Sequence, residues 1–138
     1  MSDRYEVEVN APNHFAWMRT RMGLERTLMA WVRTAASLIG FGFTIVQFFD
    51  RLADMTDVPA KAPQLPRLLG LGLIAVGIGA LGVSAWQYQW TVRYLRGPSF
   101  AALASMDEAP KHTPILIVVY TLLAIGLFAF ASVAFRLF

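Results

Sequence analysis

An Arg-Thr pair occurs three times near the start of the chain, at intervals of seven residues: Arg19-Thr20, Arg26-Thr27 and Arg33-Thr34. Seven residues are almost two turns of an α-helix. A continuous helix would therefore place the three guanidinium groups on one face, with a drift of about 20° per repeat. The third copy lies within an apolar run that is long enough to cross a membrane. Charge that enters a bilayer is costly, so this face needs a polar partner.

Small residues follow the same seven-residue period beside the arginines. Glycine and alanine let helix backbones approach closely in lipid, where the hydrophobic effect does not drive helices together. In the second apolar segment, Gly72 and Gly79 repeat at seven and Ala75 and Gly79 form a small-xxx-small pair. We therefore expect five small residues to mediate helix packing: Gly23, Ala30, Gly72, Ala75 and Gly79.

Hydrophobic residues make up 57% of the 138 residues, which is high for a soluble domain of this length. They concentrate in three segments, residues 28–49, 68–90 and 115–135. Each has about 20 residues, enough for a helix to cross a ~30 Å hydrocarbon core. A helix-start signal precedes them, in which either Asn10 or Asn13 can cap the helix. Residues 12–27 are amphipathic, with apolar side chains set against basic ones: Phe15, Trp17, Met18 and Met22 against Arg19, Arg21 and Arg26.

The predicted fold is an all-α integral membrane protein. It has three transmembrane helices in one domain (1–138) and an amphipathic, cytoplasmic N-terminal helix (residues 12–27) that is continuous with the first span or leads into it. Asp50 to Arg67 contains three prolines and is predicted to be a loop. We expect no cleavable signal peptide, because residues 1–10 are polar.

Positive charge is distributed unevenly across the three spans. The N-terminal side and the loop between spans two and three carry eight Lys and Arg residues, whereas the opposite side carries four. Basic residues concentrate on the cytoplasmic side of membrane proteins. We therefore predict a multi-pass protein with a cytoplasmic N-terminus and an extracytoplasmic C-terminus.

The candidate binding residues are basic or carry hydroxyl groups, and we assign them to an anion or a lipid headgroup: Arg19, Arg26, Arg33, Thr27, Thr34, Arg93 and Arg96. Two interpretations remain open. The arginines either touch lipid phosphates as ordinary cytoplasmic-side charges, or they face a helix bundle or polar cavity. The threonines either bond a carbonyl of their own helix or donate across an interface.

Glu25 is the one acidic residue close to the arginines, and we expect it to form a structural ion pair with a neighbouring arginine or with Arg93 or Arg96. The chain has no cysteine, and His14 and His112 stand apart from other metal ligands. We therefore predict no metal, no cofactor and no enzymatic activity. Nucleic acid is not expected as a partner, because the basic residues lie at a membrane surface.

The string from Leu24 to Thr34 (LERTLMAWVRT), together with the Arg93–Arg96 ending of the second span, resembles the YidH-type small bacterial inner-membrane proteins, known as domain of unknown function 202. It is more distantly similar to the three-helix membrane domain of the eukaryotic vacuolar transporter chaperone. That resemblance implies subunits assembled around a basic, polyphosphate-conducting pore, with Glu25, Arg26 and Arg93 or Arg96 in matching motifs. The chain has no polymerase domain, so catalysis does not carry over.

Two hypotheses follow. In the first, the protein is a homo-oligomer in the bacterial inner membrane that handles a phosphate-like anion, in the manner of a channel, through the Arg-Thr repeat. In the second, it is a membrane scaffold or accessory subunit that binds anionic lipid or a partner protein.

Overall fold

A computed structural model describes residues 7–55, 64–106 and 114–135, and these residues are almost entirely helical. The elements in chain order are α1 (Ala11–Met55), α2 (Gln64–Leu95), a 3-10 turn (Pro98–Phe100), α3 (Ala101–Ala104) and α4 (Pro114–Phe135). Three of these helices, α1, α2 and α4, are long and apolar enough to cross a membrane. The predicted all-α fold with three spanning helices is confirmed.

Helix α1 is a single element that joins the amphipathic N-terminal segment to the first span. It begins after Asn10, whose side-chain oxygen accepts the backbone N–H of Asn13 at 2.9 Å and thereby caps the helix. It continues through Gly23 without a break. Its 45 residues correspond to about 68 Å at ~1.5 Å per residue. About half of α1 must therefore project beyond a ~30 Å hydrocarbon core.

The connection between α1 and α2 is shorter than the predicted loop of residues 50–67. Helix α1 extends to Met55, and α2 already begins at Gln64. Asp50 and Arg67 join the two helix ends, because the Nη2 and Nε atoms of Arg67 both lie 2.9 Å from one oxygen of the Asp50 carboxylate. Pro66 falls in the first turn of α2, where the missing N–H leaves no helical hydrogen bond unmade.

Helices α1 and α2 run antiparallel and approach most closely at glycines. A Cβ atom built on Gly42 would lie 2.6 Å from the carbonyl oxygen of Gly70, and one built on Gly77 would lie 3.1 Å from that of Ala35. Helix α4 packs against both helices, with Gly126 against Ile39 and Ile78. The core is the apolar seam among these three helices.

The five small residues predicted to mediate helix packing lie on the faces of α1 and α2 that are turned away from the core. A Cβ atom added at Gly23, Gly72 or Gly79 would meet nothing within 4 Å. Ala30 and Ala75 are exposed. These five residues therefore do not pack between the helices of one chain, and contact with another molecule stays a prediction. Each of the five lies two residues from a buried position of the same helix, as Gly72 does from Gly70. Two residues turn a side chain by about 200° around a helix, so the five face away from the core.

Candidate functional site

Arg19, Arg26 and Arg33, which we call the arginine face, are all exposed on α1. The buried residues of α1 lie on the other side of the helix: Trp17, Arg21, Leu28, Val32, Ala35, Ile39, Gly42 and Val46. This orientation follows from the hydrophobic effect, because the apolar face of α1 is the one that buries area against α2 and α4. The three arginines share a face, as the sequence predicts, and that face is the side of α1 opposite to its buried residues.

Helix α4 indicates how deep each arginine lies. Gly126 is near the middle of α4 and contacts Ile39. If α4 is centred in the bilayer, the midplane passes close to Ile39. Arg26 precedes Ile39 by thirteen residues, about 20 Å along the axis, and Arg33 lies about 9 Å from it. The hydrocarbon half-thickness is about 15 Å. With this placement we expect Arg26 at headgroup level and Arg33 within the hydrocarbon, where its long side chain can extend towards the headgroups.

Arg26 and Arg33 lie along an open groove of about 560 Å³ between α1 and the start of α4. We call it the arginine groove. Its other lining residues are Met22, Glu25, Met29 and Ala30 from α1 and Ile115 from α4. Arg26 and Arg33 therefore belong to the α1 wall of this groove, beside apolar neighbours from α1 and α4.

Glu25 also lies in this groove, and its partner is Arg21. A carboxylate oxygen of Glu25 is 3.9 Å from the Nε atom of Arg21, one helical turn away. In the described ranges, no carboxylate lies within ion-pair distance of Arg26 or Arg33. Two arginines, Arg26 and Arg33, therefore line the groove, while its one lining carboxylate, that of Glu25, pairs with Arg21 instead.

Sequence reasoning missed Arg21 as a site residue. Its side chain is buried, with only 8% of the residue exposed. Its guanidinium carbon lies 5.8 Å from the centre of the Trp17 ring, a cation–π geometry. The signal was present in the sequence, because Trp17, Arg21 and Glu25 follow one another at four-residue intervals and so share one side of a helix.

The threonines do not join the arginine groove. The hydroxyl of Thr27 donates to the carbonyl of Gly23 at 3.0 Å, and that of Thr34 donates to Ala30 at 3.1 Å. These bonds match the local alternative, in which a threonine bonds its own helix. A residue that follows an arginine is also turned by about 100° around the helix. Thr27 accordingly lines a different groove, between α1 and α2.

Arg93 and Arg96 lie near the C-terminal end of α2 and are exposed. The Nε atom of Arg93 is 3.5 Å from the carbonyl of Gln89, and neither arginine lines the arginine groove. Leu95, which lies between the two arginines in sequence, links the end of α2 to α1, because its carbonyl accepts the indole N–H of Trp17 at 3.0 Å. The structure therefore places these arginines at the same end of the helix bundle as Arg26, but outside the arginine groove.

Comparison with known proteins agrees with this architecture. The family model of a domain of unknown function, DUF202, matches residues 19–94, more than half of the chain. The matched range contains the arginine face, the rest of the first span and nearly all of α2. No curated protein and no solved structure matches the chain. The similarity to the vacuolar transporter chaperone stays a prediction. The chain belongs to the DUF202 family of helical membrane proteins.

Proposed function

We propose that this protein is a non-enzymatic component of the bacterial inner membrane that binds a phosphate-like anion in the arginine groove and acts as a homo-oligomer. The N-terminus is cytoplasmic in this proposal, so the groove faces the cytoplasmic headgroups. One observation carries it: Arg26 and Arg33 lie along one open groove, and no described carboxylate lies within ion-pair distance of either.

The spacing of the two arginines suggests the type of anion. A guanidinium group presents a planar fork of donors that fits phosphate oxygens in pairs. Seven residues separate Arg26 from Arg33, about 10 Å along the helix axis. One phosphate group spans much less than this distance. The groove therefore favours a ligand with several phosphate groups, such as polyphosphate, or two adjacent anionic headgroups.

The arginine face continues across the membrane as a strip of small and polar residues. Gly23, Ala30, Ser37, Gly40 and Thr44 are all exposed on α1. Small side chains permit close approach of another helix, and three helices of one chain are too few to enclose a pore. Assembly of several copies through this face would bring their arginine grooves together, which is what a channel-type function requires.

A binding measurement tests this proposal. Protein purified in an uncharged detergent should bind inorganic polyphosphate, and binding should weaken as salt is added because salt screens exposed charges. Arg26→Ala should reduce affinity about ten-fold, the effect of one charge-assisted hydrogen bond. Arg51→Ala is the matched control, because Arg51 is exposed on the same helix at the opposite membrane side. An equal loss of affinity in both variants would refute a specific arginine groove.

The scaffold hypothesis is the alternative, and the depth of Arg26 supports it, because that residue lies at the level of lipid phosphates. A scaffold that binds anionic lipid or a partner protein needs charge but not the geometry of guanidinium. Replacing both Arg26 and Arg33 by lysine should then leave binding of anionic lipid intact. A groove that reads phosphate geometry should instead lose most of its affinity for polyphosphate after the same change.

A further inference from the structure

The exposed face of α1 follows the spacing of a coiled-coil seam. Parallel helices pack through residues that alternate three and four positions apart, the a and d positions of a heptad. Counted in this way from Ala16 to Thr44, every position on α1 is exposed. We call this row the α1 seam. Every side chain in it is either arginine or small: Ala16, Arg19, Gly23, Arg26, Ala30, Arg33, Ser37, Gly40 and Thr44.

The small residues of the α1 seam leave room for the same helix of a second copy. A Cβ atom added at Gly23 or Gly40 would meet nothing within 4 Å. The hydroxyls of Ser37 and Thr44 donate to carbonyls of their own helix, those of Arg33 and Gly40, at 2.9 and 2.8 Å. The seam therefore brings no unused hydroxyl proton into such a contact. Two α1 helices can approach to about 8 Å between their axes, the low end of the usual range.

Charge opposes this approach. Copies related by a rotation axis along the membrane normal place equivalent residues at one depth, so Arg26 meets Arg26 across a parallel seam. Residues 11–49 contain four arginines and one acid, Glu25, whose carboxylate lies 3.9 Å from Arg21 of the same chain. A second α1 therefore brings the same excess of positive charge and no acid to offset it. Like charges at one depth repel, and the small residues beside them hold them close together.

We propose that the anion site is shared between copies: a phosphate group binds between the Arg26 guanidinium groups of two chains and holds their α1 helices together. The inference rests on the proposed function and adds what the anion does. Within one chain, Arg26 and Arg33 are about 10 Å apart along the axis, further than one phosphate group spans. Two copies instead place two guanidinium forks at one depth, where a single phosphate with several acceptor oxygens can bind both. Anion binding and assembly are then linked, so each favours the other.

Assembly measured with and without an anion tests the proposal. The full chain is purified in an uncharged detergent, and native mass spectrometry gives the fraction of dimers and larger species as protein concentration is varied. The probe is inorganic tripolyphosphate, because a long polyphosphate could string separate molecules together. It should lower the concentration for half assembly about ten-fold, the effect of one charge-assisted hydrogen bond. Assembly that is indifferent to tripolyphosphate and to anionic lipid would overturn the proposal.

Salt provides a second signature of the shared site. Without an anion, added salt should promote assembly, because it screens the repulsion between the arginines of neighbouring copies. With tripolyphosphate bound, added salt should weaken assembly, because it screens the attraction that holds the copies together. The same salt response in both conditions would contradict the shared site.

A neutral double variant gives the sharpest result. Arg26→Gln with Arg33→Gln removes both the repulsion and the anion site. It should assemble equally with and without tripolyphosphate, at about ten-fold lower concentration than the anion-free natural chain. Both residues are exposed, so the helix content measured by circular dichroism should not change. A double variant that still responds to tripolyphosphate, or that never assembles, would refute the shared site.

The matched control is Arg93→Gln with Arg96→Gln. It removes the same charge from exposed positions at the same end of the helix bundle, outside the α1 seam. This control should keep the full response to tripolyphosphate. Loss of the response in the control would mean that net charge, and not the seam, governs assembly.

Titration calorimetry separates this inference from the proposed function. If the natural chain binds tripolyphosphate but assembles no better, the proposed anion binding stands and the shared site is wrong. Mixed micelles with phosphatidylglycerol, compared with phosphatidylcholine, test a lipid as the source of the phosphate. Assembly that responds to phosphatidylglycerol alone assigns the shared site to a lipid headgroup. If neither tripolyphosphate nor phosphatidylglycerol binds, both proposals fail.

Discussion

The substitution Gly70→Ala tests the packing of α1 against α2 most sharply. The added Cβ atom would lie 2.6 Å from the carbonyl oxygen of Gly42 and would overlap the Cγ2 atom of Val46. Neither obstacle can move away cheaply. The oxygen belongs to the backbone of α1, and Val46 is fully buried in the core. The two helices must separate locally, and each contact along the seam then weakens.

The magnitude follows from two opposing effects. Over-packing of a well-packed core costs about 1–3 kcal/mol. Replacing glycine by alanine in a helix interior returns up to ~1 kcal/mol through helix propensity. With the full propensity gain, we therefore expect Gly70→Ala to lower the free energy of unfolding by about 0–2 kcal/mol, and to leave it about 1–3 kcal/mol below that of a variant with the same gain and no over-packing.

Reversible unfolding in mixed detergent micelles, followed by circular dichroism, measures this change. Gly72→Ala is the control, because it has the same helix and the same substitution but nothing within 4 Å of the new Cβ atom. The control should be neutral or slightly stabilising, by up to ~1 kcal/mol. If Gly70→Ala were as stable as Gly72→Ala, the close approach of Gly42 and Gly70 would be refuted.

Three further predictions use other parts of the chain. A reporter fused after Phe138 should be extracytoplasmic and one inserted near Ser105 cytoplasmic, and reversed labelling would refute the proposed orientation. Trp17→Phe should destabilise the protein in the same unfolding assay by about 1–3 kcal/mol, because it leaves the carbonyl at the end of α2 without its donor; unchanged stability would contradict this. Gly79→Leu should spare the unfolding free energy but reduce the oligomer size in native gels, whereas the same change at Ile125 should alter neither. Equal tolerance at both sites would show that Gly79 is not at an interface between copies.

The arginine face shows what periodicity reveals and what it leaves open. A seven-residue repeat determines that Arg19, Arg26 and Arg33 share one side of a helix. It does not determine which side meets α2 and α4, because that depends on which residues bury the most apolar area. The apolar residues Leu28, Val32 and Ile39 decide this question in α1, and they turn the arginines outward.

The glycines of α2 make the same point in another way. Gly70 and Gly77 are seven residues apart, as are Gly72 and Gly79, so spacing alone cannot separate the packed pair from the exposed pair. The packed pair is selected by its partners on α1, where Gly42 and Ala35 leave room for a neighbouring backbone. The pairing of Gly70 with Gly42 and of Gly77 with Ala35 joins residues far apart in sequence. The residue pattern of one helix alone therefore cannot predict it.

The burial of Arg21 has a similar long-range cause. Trp17 is held in place by the carbonyl of Leu95, 78 residues away in sequence. That contact fixes the indole ring over which the guanidinium group of Arg21 lies. The overall fold follows from length and hydropathy, but this detail of the site requires knowledge of how α1 and α2 meet.

The central claim is that copies of the chain assemble through the arginine face of α1. Because the chain has no cysteine, one cysteine introduced at Ala30, between Arg26 and Arg33, reports on that face alone. Treatment of native membranes with a short bifunctional maleimide should then link Ala30→Cys chains into dimers and larger species. Ala85→Cys, buried against α1, should not be linked. If Ala30→Cys chains stay monomeric in native membranes, and the unmodified protein is also monomeric in mild detergent, the claim is contradicted.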